Sequence, residues 1–316
     1  MMSSYFLFLL ISYVYMYISI SFEIPSHCQE DGYKSLPNNT YILKVEHQGF
    51  DDNPGALVYV PSTFSNNLVE LEIVVYIHGY YNCIQNIVLA VDKACNCSIN
   101  QDVRTSYNLI NQFESATRQT KKNWLFIAAE VAYDQANDSP GKWNLENQFK
   151  LYLNEVLEEM GPILNRRYDL TSINRIRIFS HSGGYYTVGN MAIVGGMLDT
   201  VKDLTLFDSL YANFDQFDTY VVNNLNNFGL TSQDFRFSSI FTEDGGTYKN
   251  NIDMEGRASG WVDDANISSS ILLMDNSLSD LNSTAIQSYS LLFKLVNLTH
   301  EQIPLNMFYD FLINAD

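Results

Sequence analysis

Residues 176–184 read Ile-Arg-Ile-Phe-Ser-His-Ser-Gly-Gly. An apolar, β-branched run stops at Ser182, small residues flank it, and a helical segment follows. A nucleophile elbow needs these features. The serine sits on a sharp strand-to-helix turn, its hydroxyl is exposed above the sheet, and small neighbours permit close backbone packing. The usual pattern is Gly-x-Ser-x-Gly; here Ser180 holds the first small position. A serine hydroxyl is a weak nucleophile until a base takes its proton and N–H groups stabilise the oxyanion. The base must come from five histidines: His27, His47, His78, His181 and His300. His27 is near the start of the chain and His47 falls in an early strand. His78 precedes Gly79 in a loop that it would brace. His181 adjoins Ser182 and cannot reach back to that hydroxyl on a tight turn. His300, after the last strand, is the base by elimination.

These side chains need a scaffold that brings distant segments together. Tyr41–His47 and Ala56–Val60 read as early strands around an Asn-Pro-Gly turn at residues 53–55. Ile73–Ile77, Trp124–Val131 and Ile176–Phe179 read as buried strands. So do Leu204–Phe207, Phe235–Thr242, Ile271–Met274 and Ser290–Val296. The spacing of Phe149, Leu151, Leu153, Val156 and Leu157 predicts a helix over 144–160, ended by Gly161-Pro162. Helices are also expected over 185–198 and Pro304–Asn314, with Asp215 and Asp218 on a solvated helix face. Apolar strands alternating with helices imply an α/β fold with a mostly parallel central sheet and helices on both faces. In such a sheet, reactive groups collect at the carboxyl ends of strands. Ser182, Asp208 and His300 each follow a strand, and the order Ser, Asp, His is that of α/β-hydrolases.

The chain resembles an α/β-hydrolase of the esterase/lipase kind over most of its length. Val-Val-Tyr-Ile-His-Gly-Tyr-Tyr-Asn at 74–82 and Ser-His-Ser-Gly-Gly-Tyr-Tyr at 180–186 carry the resemblance. Leu-Phe-Asp-Ser-Leu-Tyr at 206–211 and Leu-Thr-His-Glu-Gln-Ile-Pro at 298–304 extend it. It implies a Ser182–His300–Asp208 triad and favours Asp208 as the acid. The usual position after the penultimate strand favours Asp244 instead, and Asp275 is a third rival. The oxyanion hole would combine the Gly183 N–H with that of Tyr80 in the loop after Gly79. Tyr80, Tyr81, Tyr185 and Tyr186 crowd one mouth, either as packing or as a wall for an apolar or carbohydrate-linked acyl group. The implied activity is hydrolysis of a small-molecule, lipid or carbohydrate ester through an acyl-enzyme, without metal or organic cofactor. A catalytically inactive binding module and a peptidase on the same fold are the alternatives.

The chain has 316 residues and a net charge of −18, from 36 acidic and 18 basic residues. No basic cluster could grip phosphates, which argues against nucleic acid. Residues 6–20 form an uncharged apolar run, with Ser19 and Ser21 suited to cleavage after Ser21. We read 1–21 as a signal peptide and 22–316 as a single hydrolase domain, with an uncleaved anchor as the alternative. No later segment is long enough to span a membrane. Cys28, Cys83, Cys95 and Cys97 suit two disulfides in an oxidising compartment, in an order the spacing does not assign. Sequons at Asn38, Asn96, Asn137, Asn266, Asn282 and Asn297 fit a secretory or endolysosomal route.

Overall fold

The computed structural model describes residues 34–36, 39–49, 55–79, 84–88, 106–131, 140–227, 235–265, 268–278 and 280–314. The apolar segment 6–20, the cleavage position, all four cysteines, Tyr80 and Tyr81 lie outside them. So do the sequons at Asn38, Asn96, Asn137 and Asn266.

The strands are β1 (Lys34–Leu36), β2 (Thr40–Leu43), β3 (Ala56–Tyr59), β4 (Leu71–Ile77) and β5 (Trp124–Ala129). They continue with β6 (Ile173–His181), β7 (Val201–Phe207), β8 (Arg236–Phe241), β9 (Leu272–Asp275) and β10 (Leu291–Leu295). They form one sheet in the order β1-β2-β3-β5-β4-β6-β7-β8-β10-β9. Pairing is antiparallel from β1 to β5 and parallel from β5 to β9. The helices are α1 (Ile84–Val88), α2 (Leu109–Thr120), α3 (Gln148–Leu164) and α4 (Tyr185–Ile193). After them come α5 (Phe214–Asn227), α6 (Tyr248–Asp264), α7 (Ser283–Ser288) and α8 (Gln302–Ile313).

The alternation of β4 explains why both faces are covered. Ile73, Val75 and Ile77 point into one apolar cluster with Phe149, Leu153, Val188, Phe217 and Met254 of α3–α6. Val74 and Tyr76 point into a second cluster with Phe113 of α2 and Phe308 and Phe311 of α8. Each large apolar side chain so buried contributes about 1.5–3 kcal/mol. A strand wedged between two such layers must be apolar where both faces are covered, as β5 is throughout and β4 is from Ile73 to Ile77. The chain adds β5 on one side of β4 and then β6 on the other. In sheets of this kind such a reversal is where ligands bind, beyond the carboxyl ends of the strands; here β4 and β6 lead there into His78-Gly79 and Ser182.

Several expected boundaries shift. The early strand ends at Leu43 rather than His47, because Glu155 of α3 accepts the backbone N–H groups of Glu46 (2.6 Å) and His47 (3.0 Å). The helix over 144–160 starts at Gln148 and runs through Gly161 and Pro162 to Leu164. Pro162 falls in the last turn, where its missing N–H breaks one intrahelical bond, and left-handed Asn165 closes the helix by bonding Gly161 O. The helix after the elbow stops at Ile193, ahead of Gly195 and left-handed Gly196. Among the described residues no helix is long and apolar enough to cross a membrane.

Candidate active site

Ser182 follows β6 directly and opens a short turn, Ser182–Gly184, that runs into α4. Its φ is 52°, the left-handed region that costs an L-residue about 1–2 kcal/mol. Such strain persists only where the surroundings over-determine it. Here the buried Ser209 hydroxyl donates to Ser182 O (2.7 Å) and lies 2.7 Å from the buried Ser180 hydroxyl. Ser180 therefore does more than stand in for the missing glycine of the motif: its hydroxyl joins the group that holds the elbow carbonyl. On the facing loop, a Cβ added to Gly79 would lie 2.6 Å from Ser182 Cβ and 3.1 Å from its Oγ. The β4 loop thus approaches the serine more closely than a side chain at 79 would permit.

Asp208 caps β7, also with positive φ (45°), and its backbone N–H donates to Ile240 O at 2.7 Å. Its carboxylate is buried and accepts from His300 Nδ1 (2.8 Å), Thr242 Oγ1 (2.9 Å) and Thr247 Oγ1. Gly245 lies against it, since a Cβ there would sit 1.5 Å from Oδ2. His300 stands in the turn between β10 and α8 and keeps about a quarter of its side chain exposed. With Nδ1 turned to the carboxylate, Nε2 is the nitrogen left for proton transfer.

The other candidates go elsewhere. Asp244, in the loop after β8, is exposed. Asp275 is engaged by Lys294 Nζ (2.8 Å) and Ser277, which hold its carboxyl down at about 2. Gly183 is buried in the elbow turn, while Tyr80 lies outside the described residues. Tyr185 packs on Tyr186 and Tyr211 at ring separations of 6.1 and 5.7 Å, so this part of the aromatic mouth is mutually packed. Asp218, on α5, pairs with Arg257 of α6. His78 is buried, with Nδ1 on Gly79 O and Nε2 beside the Glu130 carboxylate and the Val131 N–H (3.2 Å). It ties the ends of β4 and β5 together.

Sequence reasoning missed Ser209, Thr242, Thr247, Glu130, Tyr107 and Glu301. Thr242 and Thr247 bracket the Glu-Asp-Gly-Gly stretch that drew attention to Asp244. The useful groups of that loop are its two flanking hydroxyls. Tyr107 contacts His181 and bonds the Glu301 carboxylate. Burial, with the Glu301 carboxylate adding to it, also pushes the Tyr76 phenol well up, so that it stays protonated.

No family model matches the chain, and no curated protein matches its sequence. Among solved structures, the feruloyl esterase module from Clostridium thermocellum complexed with sinapinate superposes with a TM-score of 0.50 at 12% identity. The match covers 90% of this chain and 94% of that one. A poly(aspartic acid) hydrolase-1 from Sphingomonas gives 0.48 at 6% identity, covering 90% and 99%. At such identities the likeness is one of fold, and the chain has the α/β-hydrolase fold.

Proposed function

We propose that the protein is a secreted serine hydrolase that cleaves a carboxylic ester. One observation carries the reading: consecutive residues at the end of β7 hold both reacting partners. The Asp208 carboxylate holds His300, and the Ser209 hydroxyl holds the backbone of Ser182. In the proposed cycle Ser182 Oγ attacks the ester carbonyl carbon while His300 Nε2 takes its proton. The oxyanion is met by the N–H groups of Gly183 and of Tyr80 in the loop after Gly79. The imidazolium gives its proton to the leaving alcohol, and an acyl-Ser182 remains. Water then attacks that acyl group as His300 takes its proton, and Ser182 leaves with the proton restored. Asp208 stays ionised throughout, fixing the imidazole tautomer and offsetting the imidazolium charge.

The secretory part of the reading rests on the apolar segment 6–20, the cysteines and the sequons. Asn282 and Asn297 are both exposed, as glycan acceptors must be.

Labelling with a fluorophosphonate probe tests the reading. Wild type should be modified and Ser182→Ala should not, and acyl esters should turn over faster than matched amides. Equal labelling of the two proteins, or none under any condition, would remove the serine hydrolase reading.

A further inference from the structure

We infer that His181 is a positioning residue for His300, acting through a relay that grips the base loop at two consecutive residues. The inference rests on the reading of His300 as general base. The relay starts at the backbone of His300, whose carbonyl oxygen lies 3.1 Å from His181 Nε2. A carbonyl only accepts, so Nε2 carries a proton, and the ring orientation is set. The other ring nitrogen, Nδ1, faces the Tyr107 hydroxyl at 3.2 Å. Tyr107 gives its one hydroxyl proton to the Glu301 carboxylate, so its oxygen accepts from His181 Nδ1–H, and the ring carries both protons opposite the Glu301 charge. The chain of bonds leaves the loop at the carbonyl of 300 and returns to it at the side chain of 301.

Packing alone does not account for this arrangement. His181 and Tyr107 are each 1% exposed. A buried imidazole left unpaired costs about 1–3 kcal/mol, and an apolar ring would fill the same space without that cost. Both ring nitrogens are instead spent on groups that fix the base loop. The His181 ring also lies against the His300 ring, with centroids 4.4 Å apart and planes inclined by 35°. Tyr107 meets His181 edge-on at 5.3 Å, which limits the rotation of that ring. Tyr107 is itself tied down through its backbone N–H to Ile87 O (3.1 Å) at the end of α1.

Two independent anchors therefore act on one residue. Asp208, from β7, orients the imidazole of His300. His181, from β6 and adjacent to Ser182, holds the backbone that carries it. Because His181 precedes the nucleophile in sequence, any shift of the elbow is passed to the base loop. The pair then moves as a unit, which guards proton-transfer geometry against misplacements of about 1 Å that can cost about 100-fold in rate.

The test compares wild type with His181→Phe, His181→Gln and Tyr107→Phe, using the full chain. The first readout is fluorophosphonate labelling, separated into the limiting rate and the half-saturating concentration. The second is the low-field proton of His300 Nδ1–H, seen by NMR and assigned by its loss in His300→Ala. His181→Phe should cut the limiting rate roughly tenfold or more and leave the half-saturating concentration unchanged. His181→Gln, which retains an N–H donor, should recover most of that rate. Tyr107→Phe keeps its ring in place, breaks only the relay, and should fall between them. The low-field proton should broaden in His181→Phe and Tyr107→Phe. Wild-type limiting rates and an unchanged proton in both variants would overturn the inference. If wild type itself is never labelled, the hydrolase reading fails. The low-field proton then still decides whether His181 positions His300.

Discussion

Asp203 and Asp208 lie at opposite ends of β7, and both are almost wholly buried. Their surroundings are of opposite kinds. Asp203, near the start of the strand, takes two bonds from Arg175 (2.7 and 3.2 Å) and lies 3.6 Å from Arg177. Burial alone would raise its carboxyl, but Arg175, Arg177 and Arg236 outweigh that and hold it below the usual carboxylate range. Asp208, past the end of the strand, meets two neutral hydroxyls and one imidazole. The charge of Asp203 is answered by permanent cations. Asp208 has no permanent cation among these three partners; in the proposed cycle the imidazolium of His300 is the charge that would answer it. One residue type, on one strand and at one depth, thus serves cohesion at one end and is suited to catalysis at the other. The difference lies in whether the partner charge is fixed or transient.

Four substitutions bear on that contrast. The largest effect is expected from Asp208→Asn, which leaves the shape intact while removing the charge and disturbing the His300 tautomer. The limiting rate of ester turnover should fall about 10⁴-fold with little change in Tm. A comparable loss in Asp203→Asn would erase the distinction. That second substitution should act on stability instead, by about 3–5 kcal/mol in chemical denaturation, because it leaves buried guanidinium groups short of a counter-charge. Turnover by its folded fraction should stay within about twofold of wild type, a barrier change of about 0.4 kcal/mol. Since Asp203 titrates lower in the folded chain than in the unfolded one, its contribution is present above the unfolded value of about 3.9 and fades as pH falls through the folded value. Asp203→Asn should therefore flatten the acid limb of a stability-versus-pH curve. The smallest effects belong to Thr242→Val and Thr247→Val, each removing one neutral donor from Asp208. Roughly a tenfold loss of rate apiece is expected, in line with about 1.5–3 kcal/mol for a bond to a charged group. Losses an order of magnitude smaller would mean that His300 alone holds the carboxylate.

The sheet strands around the site were legible because double-sided burial writes itself as unbroken apolar runs, as in Ile73–Ile77 and Trp124–Ala129. The elbow was legible because a left-handed serine between a strand and a helix demands small neighbours. Other elements were hidden by dilution. The helices Leu109–Thr120 and Tyr248–Asp264 bury Thr117, Asn251 and Glu255 alongside apolar residues, which blurs the stripe that periodicity detects. The choice between Asp208 and Asp244 could not be made from spacing, since both follow strands. What separates them is which carboxylate turns inward, and that depends on a fold contact to His300, 92 residues away from Asp208. The relay through Tyr107 was likewise invisible, because it joins residues 107, 181 and 301, which only the folded sheet brings together.

The bare backbone at Gly245 bears on how such a site can change over generations. The loop after β8 lies directly on the Asp208 carboxylate, and the missing side chain is what makes room for it. A lineage that moved its acid to the β8 loop would have to vacate position 208 and refill the space over it together, since either step alone leaves a collision or a hole. On the proposed reading of Asp208 as the acid, Gly245 therefore acts as a latch, making that arrangement hard to leave by single substitutions.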